Sequence, residues 1–162
     1  MTADEVIRLL KLEPHPAEGG YYVETYRSVL PVPAHGSMRS ASTCIYYLLT
    51  PATCSALHRL ASDEIFHFYL GDPVEMLLLH PDGRGEQLVL GHDLAAGQRP
   101  QVVVPLGVWQ GARLRDGGQL ALMGCTVAPG FDYRDYEHGR PATLMAQYPA
   151  WKAQIERLQR PA

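Results

Sequence analysis

The chain has 162 residues, enough for one domain with its own core and short for two. Its 46% hydrophobic and 19% charged residues exclude a disordered chain, and a formal net charge of -3 with a pI near 6.1 gives no electrostatic grip on nucleic acid or an anionic membrane. No apolar run approaches the roughly 20 residues that span a bilayer, and Asp4, Glu5, Arg8 and Lys11 break up the opening stretch, against a signal peptide; a soluble cytoplasmic protein is expected.

In chain order, Thr2 and Glu5 form a capping box, and Val6, Ile7, Leu9 and Leu10 supply an apolar face, so a short helix is predicted that Pro14 and Pro16 end. His15 to Gly20 reads as a turn-rich loop leading into the alternating strand YYVETYRS. From residue 41 to about 130 strand follows strand: STCIYYLLT, CSALHRL, EIFHFYL, then a hairpin in EMLLLHPDGRGEQLVLG turned at Asp82-Gly83. QVVVPLGVWQGARLRDGGQLALMGCTV adds two or three more. Turn signals recur about every ten residues, which favours a sandwich or barrel over a parallel α/β sheet. Pro141 and Pro149 are placed to begin short helices, and Trp151, Ile155 and Leu158 share a face that packs on the outside of the barrel. With no linker or repeat, residues 1–162 form a single domain. Cys44, Cys54 and Cys125 are odd in number and widely spaced, which argues against a disulfide framework or a cysteine zinc site and for small buried apolar residues.

The chemistry concentrates in residues 55–73, SALHRLASDEIFHFYLGDP. Alternation puts Cys54, Ala56, His58 and Leu60 on one face of the first strand, and Glu64, Phe66, Phe68 and Leu70 on one face of the second. The Ala61–Asp63 loop makes the strands neighbours, so His58 and Glu64 are expected to face each other inside one barrel. These residues resemble the cupin superfamily, whose first motif is G-x5-H-x-H-x3,4-E-x6-G and whose second begins G-x5-P-x-G-x2-H. His58 stands at the first histidine, Leu60 at the second, Glu64 at the glutamate and Gly71 at the closing glycine. Pro105, Gly107 and Gln110 follow the second motif, with Gln110 in place of histidine. The segments HPAEGGYYVETYRS, HRLASDEIFHFYLGDP, VVPLGVWQGARL and GCTVAPGFDY are similar to one branch, the cupin-like DUF985 (cupin_5) family, over residues 15–132.

The resemblance implies an all-β, double-stranded β-helix (a jelly-roll barrel) with short N- and C-terminal helices, commonly a homodimer, with a central small-molecule pocket; it implies no reaction. A cupin metal site offers three histidines and a glutamate. Here those positions read His58, Leu60, Glu64 and Gln110, so no cofactor is expected; a divalent transition metal, if bound, would fall to His58, Glu64 and Gln110. Without metal, His58 beside a carboxylate is an acid–base device of the kind that isomerises or epimerises a sugar-like metabolite, the shape shared with sugar-nucleotide epimerases. A metal-dependent oxygenase or isomerase, a non-catalytic metabolite-binding module, and a merely structural His58–Glu64 pair stay open.

Candidate ligand-binding residues are Gln110, Trp109, Tyr47 and Glu24. Trp109 is either a shelf for a ring or a plug at a barrel end, and alternation sends it and Gln110 to opposite faces unless a bulge intervenes. Nine tyrosines leave open which one faces the pocket and serves as a second acid. Glu18, Glu24 and Arg27 border the pocket mouth or are ordinary surface charges. His67 falls on the face opposite Glu64, and His15, His35, His80, His92 and His138 fall in Pro/Gly-rich turns and are expected to face solvent. No phosphate loop, dinucleotide fingerprint, nucleophile elbow or zincin motif is present, and no basic aromatic strip suggests nucleic acid.

Overall fold

The computed structural model describes residues 1–159. The capping box forms as expected: Glu5 N–H donates to Thr2 Oγ1 at 3.2 Å and Thr2 N–H to Glu5 Oε2 at 2.7 Å, opening α1 (Ala3–Leu10). The helix ends earlier than the prolines require, because Lys11 turns left-handed with φ 55°. The strands are β1 (Glu13–Pro14), β2 (Tyr21–Arg27), β3 (Pro31–Ala34), β4 (Ser37–Ser40), β5 (Thr43–Leu49), β6 (Cys54–Leu60), β7 (Asp63–Gly71), β8 (Val74–Leu79), β9 (Gly85–Leu90), β10 (Gln101–Val104), β11 (Trp109–Leu114), β12 (Ala121–Ala128) and β13 (Tyr136–His138). Helices α2 (Pro141–Gln147) and α3 (Lys152–Arg157) follow.

The long runs of the sequence became β2 and β5 to β12. The hairpin β3–β4 and the short β13 had no alternating signature and were not anticipated. Two antiparallel sheets face each other, one ordered β1-β2-β5-β12-β7-β10 and the other β13-β6-β11-β8-β9. Among the described residues they do not close into one hydrogen-bonded barrel.

Alternation explains the packing. From the first sheet Tyr47, Phe66, Phe68 and Met123 point inward; from the second, Met76, Leu78, Ala112 and Leu114 meet them in the main core. Both outer faces are also covered in part, which is why several strands read as continuous apolar runs. Val6 and Leu12 pack with Leu48 and Leu122 on the outside of the larger sheet. Ile155, Leu158 and Leu144, from the tail helices, pack with Leu57, Leu77 and Trp109 on the outside of the smaller one. Among the described residues no helix is long and apolar enough to cross a membrane.

The strand ends are set by backbone geometry as much as by side chains. Gly71 has φ 103°, and a Cβ there would run into the carbonyl of Leu120, so the end of β7 demands glycine. Gly19, at φ 97°, lets the His15–Gly20 loop lie against β6: a Cβ on it would stand 2.5 Å from the Cys54 carbonyl oxygen.

Candidate functional site: a carboxylate-lined cavity between the sheets

A cavity of about 670 Å³ opens between the His15–Gly20 loop, the inner faces of β2, β5, β7 and β12, and the Phe131–Tyr133 turn. That volume is in the range of small-molecule sites. Glu64, Leu60 and Cys125 form its floor, Glu18 and His15 one wall, and the exposed Glu24, Arg27 and Tyr133 its mouth.

Glu64 points inward because it alternates with Phe66 and Phe68 on β7. It is 7% exposed, and it accepts a 2.6 Å hydrogen bond from Gln110 Nε2. Gln110 on β11 points inward, as do Val108 just before the strand and Ala112 within it, while its neighbour Trp109 turns outward. The other amide atom, Gln110 Oε1, is buried and has no hydrogen-bond partner among the described residues.

His58 sits opposite Gln110 in the β6–β11 ladder. One residue pair further along, the register jumps so that Ala112 meets Ser55, which leaves an extra residue in β6. This bulge decides the site. It turns Cys54 out into the tail-helix cluster and Ser55 in toward Glu18, so these positions do not keep the simple alternation expected of CSALHRL. It also frees Ala56 from the ladder: Ala56 N–H donates to the Glu18 carbonyl at 2.9 Å, and the Ala56 carbonyl accepts from His58 Nδ1 at 2.8 Å. Glu18 is thereby brought against His58, with Oε1 at 3.6 Å from Nε2, and Ser55 Oγ donates to Glu18 Oε2 at 3.3 Å.

His15 is the clearest departure from expectation. Instead of facing solvent it is 5% exposed, packed edge-on against Tyr22 with ring centroids 4.6 Å apart. Its Nδ1 accepts the backbone N–H groups of Ala17 and Glu18 at 3.3 and 3.0 Å, which folds the loop, and its Nε2 lies 3.7 Å from Glu18 Oε1. The spacing of His15 and Glu18, three apart and followed by Gly-Gly, was the sequence signal for this turn.

Burial dominates the electrostatics. It pushes the Glu18 carboxyl up to about 7, partly offset by the Ser55 hydroxyl. It pushes Glu64 up to about 7 as well, helped by the nearby charge of Glu18 and opposed by His58 and Gln110. His58 is lowered by the same burial, although the charge on Glu64 pulls the other way. Burial also holds the Cys125 thiol well above its usual value, so it stays protonated.

The family model of the cupin superfamily branch DUF985 matches residues 4–139. The chain belongs to that family. It is 32% identical over 133 residues to an uncharacterized protein of Saccharomyces cerevisiae, covering 74% of this chain and 66% of the yeast protein, just under two thirds of its length. A hypothetical protein from Leishmania major superposes with a TM-score of 0.90 at 38% identity, over 99% of this chain and 100% of that one. A Shewanella oneidensis protein solved by X-ray crystallography gives the same score and identity over 100% and 99%. Oxalate decarboxylase from Bacillus subtilis shares the fold alone, with a TM-score of 0.56 at 13% identity, over 93% of this chain and 38% of that one.

In this cupin the residues anticipated from sequence separate into two groups. His58, Glu64 and Gln110 come together, but His58 is in contact with Glu18, and it is Gln110 that touches Glu64. Glu24 stands at the mouth, held by Arg27 through two hydrogen bonds of 3.0 and 2.7 Å. Tyr47 is not a lining residue: it is 1% exposed and its hydroxyl donates to the Gly19 carbonyl at 2.8 Å, anchoring the loop that carries Glu18. Trp109 faces the tail helices, on the opposite side of β11 from the cavity, with the Arg59 guanidinium 4.5 Å over its ring. The aromatic residues that do line the cavity, Tyr22, Phe131 and Tyr133, come from β2 and from the turn after β12.

The residues do not fit the metal set of the wider superfamily. Leu60 has no donor atom, Gln110 presents its amide nitrogen to Glu64, and His58 Nδ1 is committed to a backbone carbonyl. Among the described residues no three His, Cys, Asp or Glu side chains are grouped to hold a metal ion.

Proposed function

We propose that this cupin binds a small polar, sugar-like metabolite in the cavity and moves a proton on it, as an isomerase or epimerase does. The observation that carries the reading is a pair of carboxyls, the half-buried Glu18 and the buried Glu64, lining one cavity and both held near neutrality. Two such groups hold about one proton between them at pH 7, so one serves as base while the other serves as acid.

On a substrate with a carbonyl, the ionised carboxylate takes the proton from the adjacent carbon. The C–H electron pair moves toward the carbonyl, whose oxygen becomes the enolate oxygen. For epimerisation the enolate oxygen re-forms the carbonyl as the protonated carboxyl returns a proton to the opposite face of the same carbon. For isomerisation the proton goes to the former carbonyl carbon while the hydroxyl proton passes from the neighbouring oxygen, which becomes the new carbonyl, to the enolate oxygen, and no net proton is gained or lost. His58 acts behind Glu18 as a positioning residue: its Nδ1 proton is fixed on the Ala56 carbonyl, and Nε2 faces the carboxyl. Gln110 holds Glu64 in the same way from the other side.

Incubation with unphosphorylated aldoses and ketoses in D2O tests this. The expected result is one deuterium gained at carbon in the recovered sugar, and a loss of exchange of at least about hundredfold in Glu18→Gln or Glu64→Gln. Saturable binding with no exchange would reject the catalytic part and leave a binding module.

A further inference from the structure

Hydrogen-bond acceptors predominate around the two carboxyls. Glu18 and Glu64 offer four carboxyl oxygens. His58, with its Nδ1 proton given to Ala56, offers a lone pair at Nε2 when neutral. Gln110 Oε1 is a buried acceptor without a partner among the described residues, on the same amide that holds Glu64. Of the donors nearby, Ser55 Oγ donates to Glu18, Gln110 Nε2 to Glu64 and Tyr47 OH to the Gly19 carbonyl, while the His15 Nε2 proton faces Glu18 Oε1 at 3.7 Å.

Charge tells the same story. Among the described residues, Glu13, Glu18, Glu24, Glu64 and Asp132 line the cavity against one arginine, Arg27. Arg27 is tied to Glu24 and to the Phe131 carbonyl, and Asp132 is covered by Arg134 at 2.7 Å. Among the described residues no arginine or lysine is paired with Glu18 or Glu64; their charged neighbours are each other, His15 and His58. A phosphate or carboxylate ligand would enter a field of its own sign, and Arg27, the cation at the mouth, is already held by Glu24. The walls supply the π faces of Tyr22, Phe131 and Tyr133, surfaces that attract a cation and pack against C–H groups.

We propose that the cavity takes a small organic cation, a primary amine on a hydroxylated carbon skeleton such as an amino sugar, with the ammonium received by the lining carboxyls Glu18 and Glu64. An ammonium brings three N–H donors, which meets the surplus of acceptors and neutralises the buried charge. The assignment rests on the reading above that the cavity holds a polar metabolite, and it narrows that reading by excluding phosphorylated and nucleotide-linked sugars. Binding must also expel protons. Glu18, facing His15, His58 and Ser55, and Glu64, facing Glu18, His58, Gln110 and Cys125, are held near 7, so below pH 7 the pair holds more than one proton, and the arriving ammonium favours the form with one carboxyl ionised and the other protonated.

Isothermal titration near pH 6.5 with glucosamine, galactosamine, glucose, N-acetylglucosamine and glucose 6-phosphate, in two buffers of different ionisation enthalpy, decides the matter. At least one hexosamine is expected to bind ten or more times tighter than glucose or N-acetylglucosamine, with net release of protons. Glu64→Gln and Glu18→Gln, each checked by an unfolding curve, are expected to bring hexosamine binding down at least tenfold and to abolish the release of protons. Equal or tighter binding of a neutral sugar, or preference for the phosphate, would overturn the charge assignment and leave the polar-ligand reading standing. No binding by any member would overturn both.

Discussion

Replacing Glu64 with glutamine should trade pH sensitivity for stability. Glu64 is 7% exposed, and its carboxyl is held at about 7 against an ordinary 4.5. A raised carboxyl means that the folded protein keeps a proton which the unfolded chain has released. The folded state therefore gains from this group below about pH 4.5, and the gain is lost as pH rises through 7. The span from 4.5 to about 7, at about 1.4 kcal/mol per pH unit, amounts to about 3 kcal/mol. In Glu64→Gln the amide oxygen can still accept from Gln110 Nε2, so the variant should nearly match the parent at low pH. Its stability relative to the parent should then climb by about 2 to 3 kcal/mol toward pH 8. His58, lowered by burial, slopes the other way, and Glu18 slopes the same way, but both are present in the two proteins, and the difference curve removes most of their contribution. Urea unfolding midpoints across roughly pH 5 to 9 measure this directly. Parallel curves for parent and variant, or a parent whose advantage over the variant grows with pH, would refute the idea that Glu64 is a buried acid of raised pKa.

Two further outcomes test the scaffold around the site. Gly19→Ala forces a Cβ to within 2.5 Å of the Cys54 carbonyl at φ 97°, and should cost roughly 2 kcal/mol while lifting Glu18 away from His58; an unchanged urea midpoint would show that the loop does not depend on this glycine. Trp109→Ala opens a gap under α2 and α3 and should cost about 3 to 5 kcal/mol. Because Trp109 stands on the far side of β11, ligand affinity at a temperature where the variant stays folded should not move; a loss of affinity would return Trp109 to the pocket.

The reading of the site as an acid–base device changes in one respect once the geometry is known. A direct pairing of His58 and Glu64 was the natural expectation from two neighbouring strands. The two do share an interior, and each shifts the other's titration, but the contacts are His58 with Glu18 and Glu64 with Gln110. Two carboxyls instead of one make the cavity acidic, and that is what directs attention from sugar phosphates toward amines.

Much of the architecture was legible in the chain because it rests on local rules. Alternation from Glu64 to Phe68 places Phe66 and Phe68 inside and His67 outside, and it ends at the register shift beyond Phe68, which leaves Leu70 exposed. The capping box of Thr2 and Glu5 starts a helix, and Pro141 starts another. Neighbouring positions on β11 send Gln110 and Trp109 to opposite faces. Each of these follows from the two-residue or 3.6-residue period of the backbone and needs no knowledge of distant partners. What the tertiary structure decided is the identity of the partners. The bulge in β6 arises from how β6 and β11 are registered across a gap of some fifty residues, and no local pattern encodes a register jump. That jump frees Ala56 to bind both Glu18 and His58, and it makes one cavity wall of a loop histidine expected in solvent and a loop glutamate left open between pocket mouth and surface. Burial, and with it the raised acidity constants of Glu18 and Glu64, is a property of the assembled sheets, since a carboxyl loses water only when everything around it is in place.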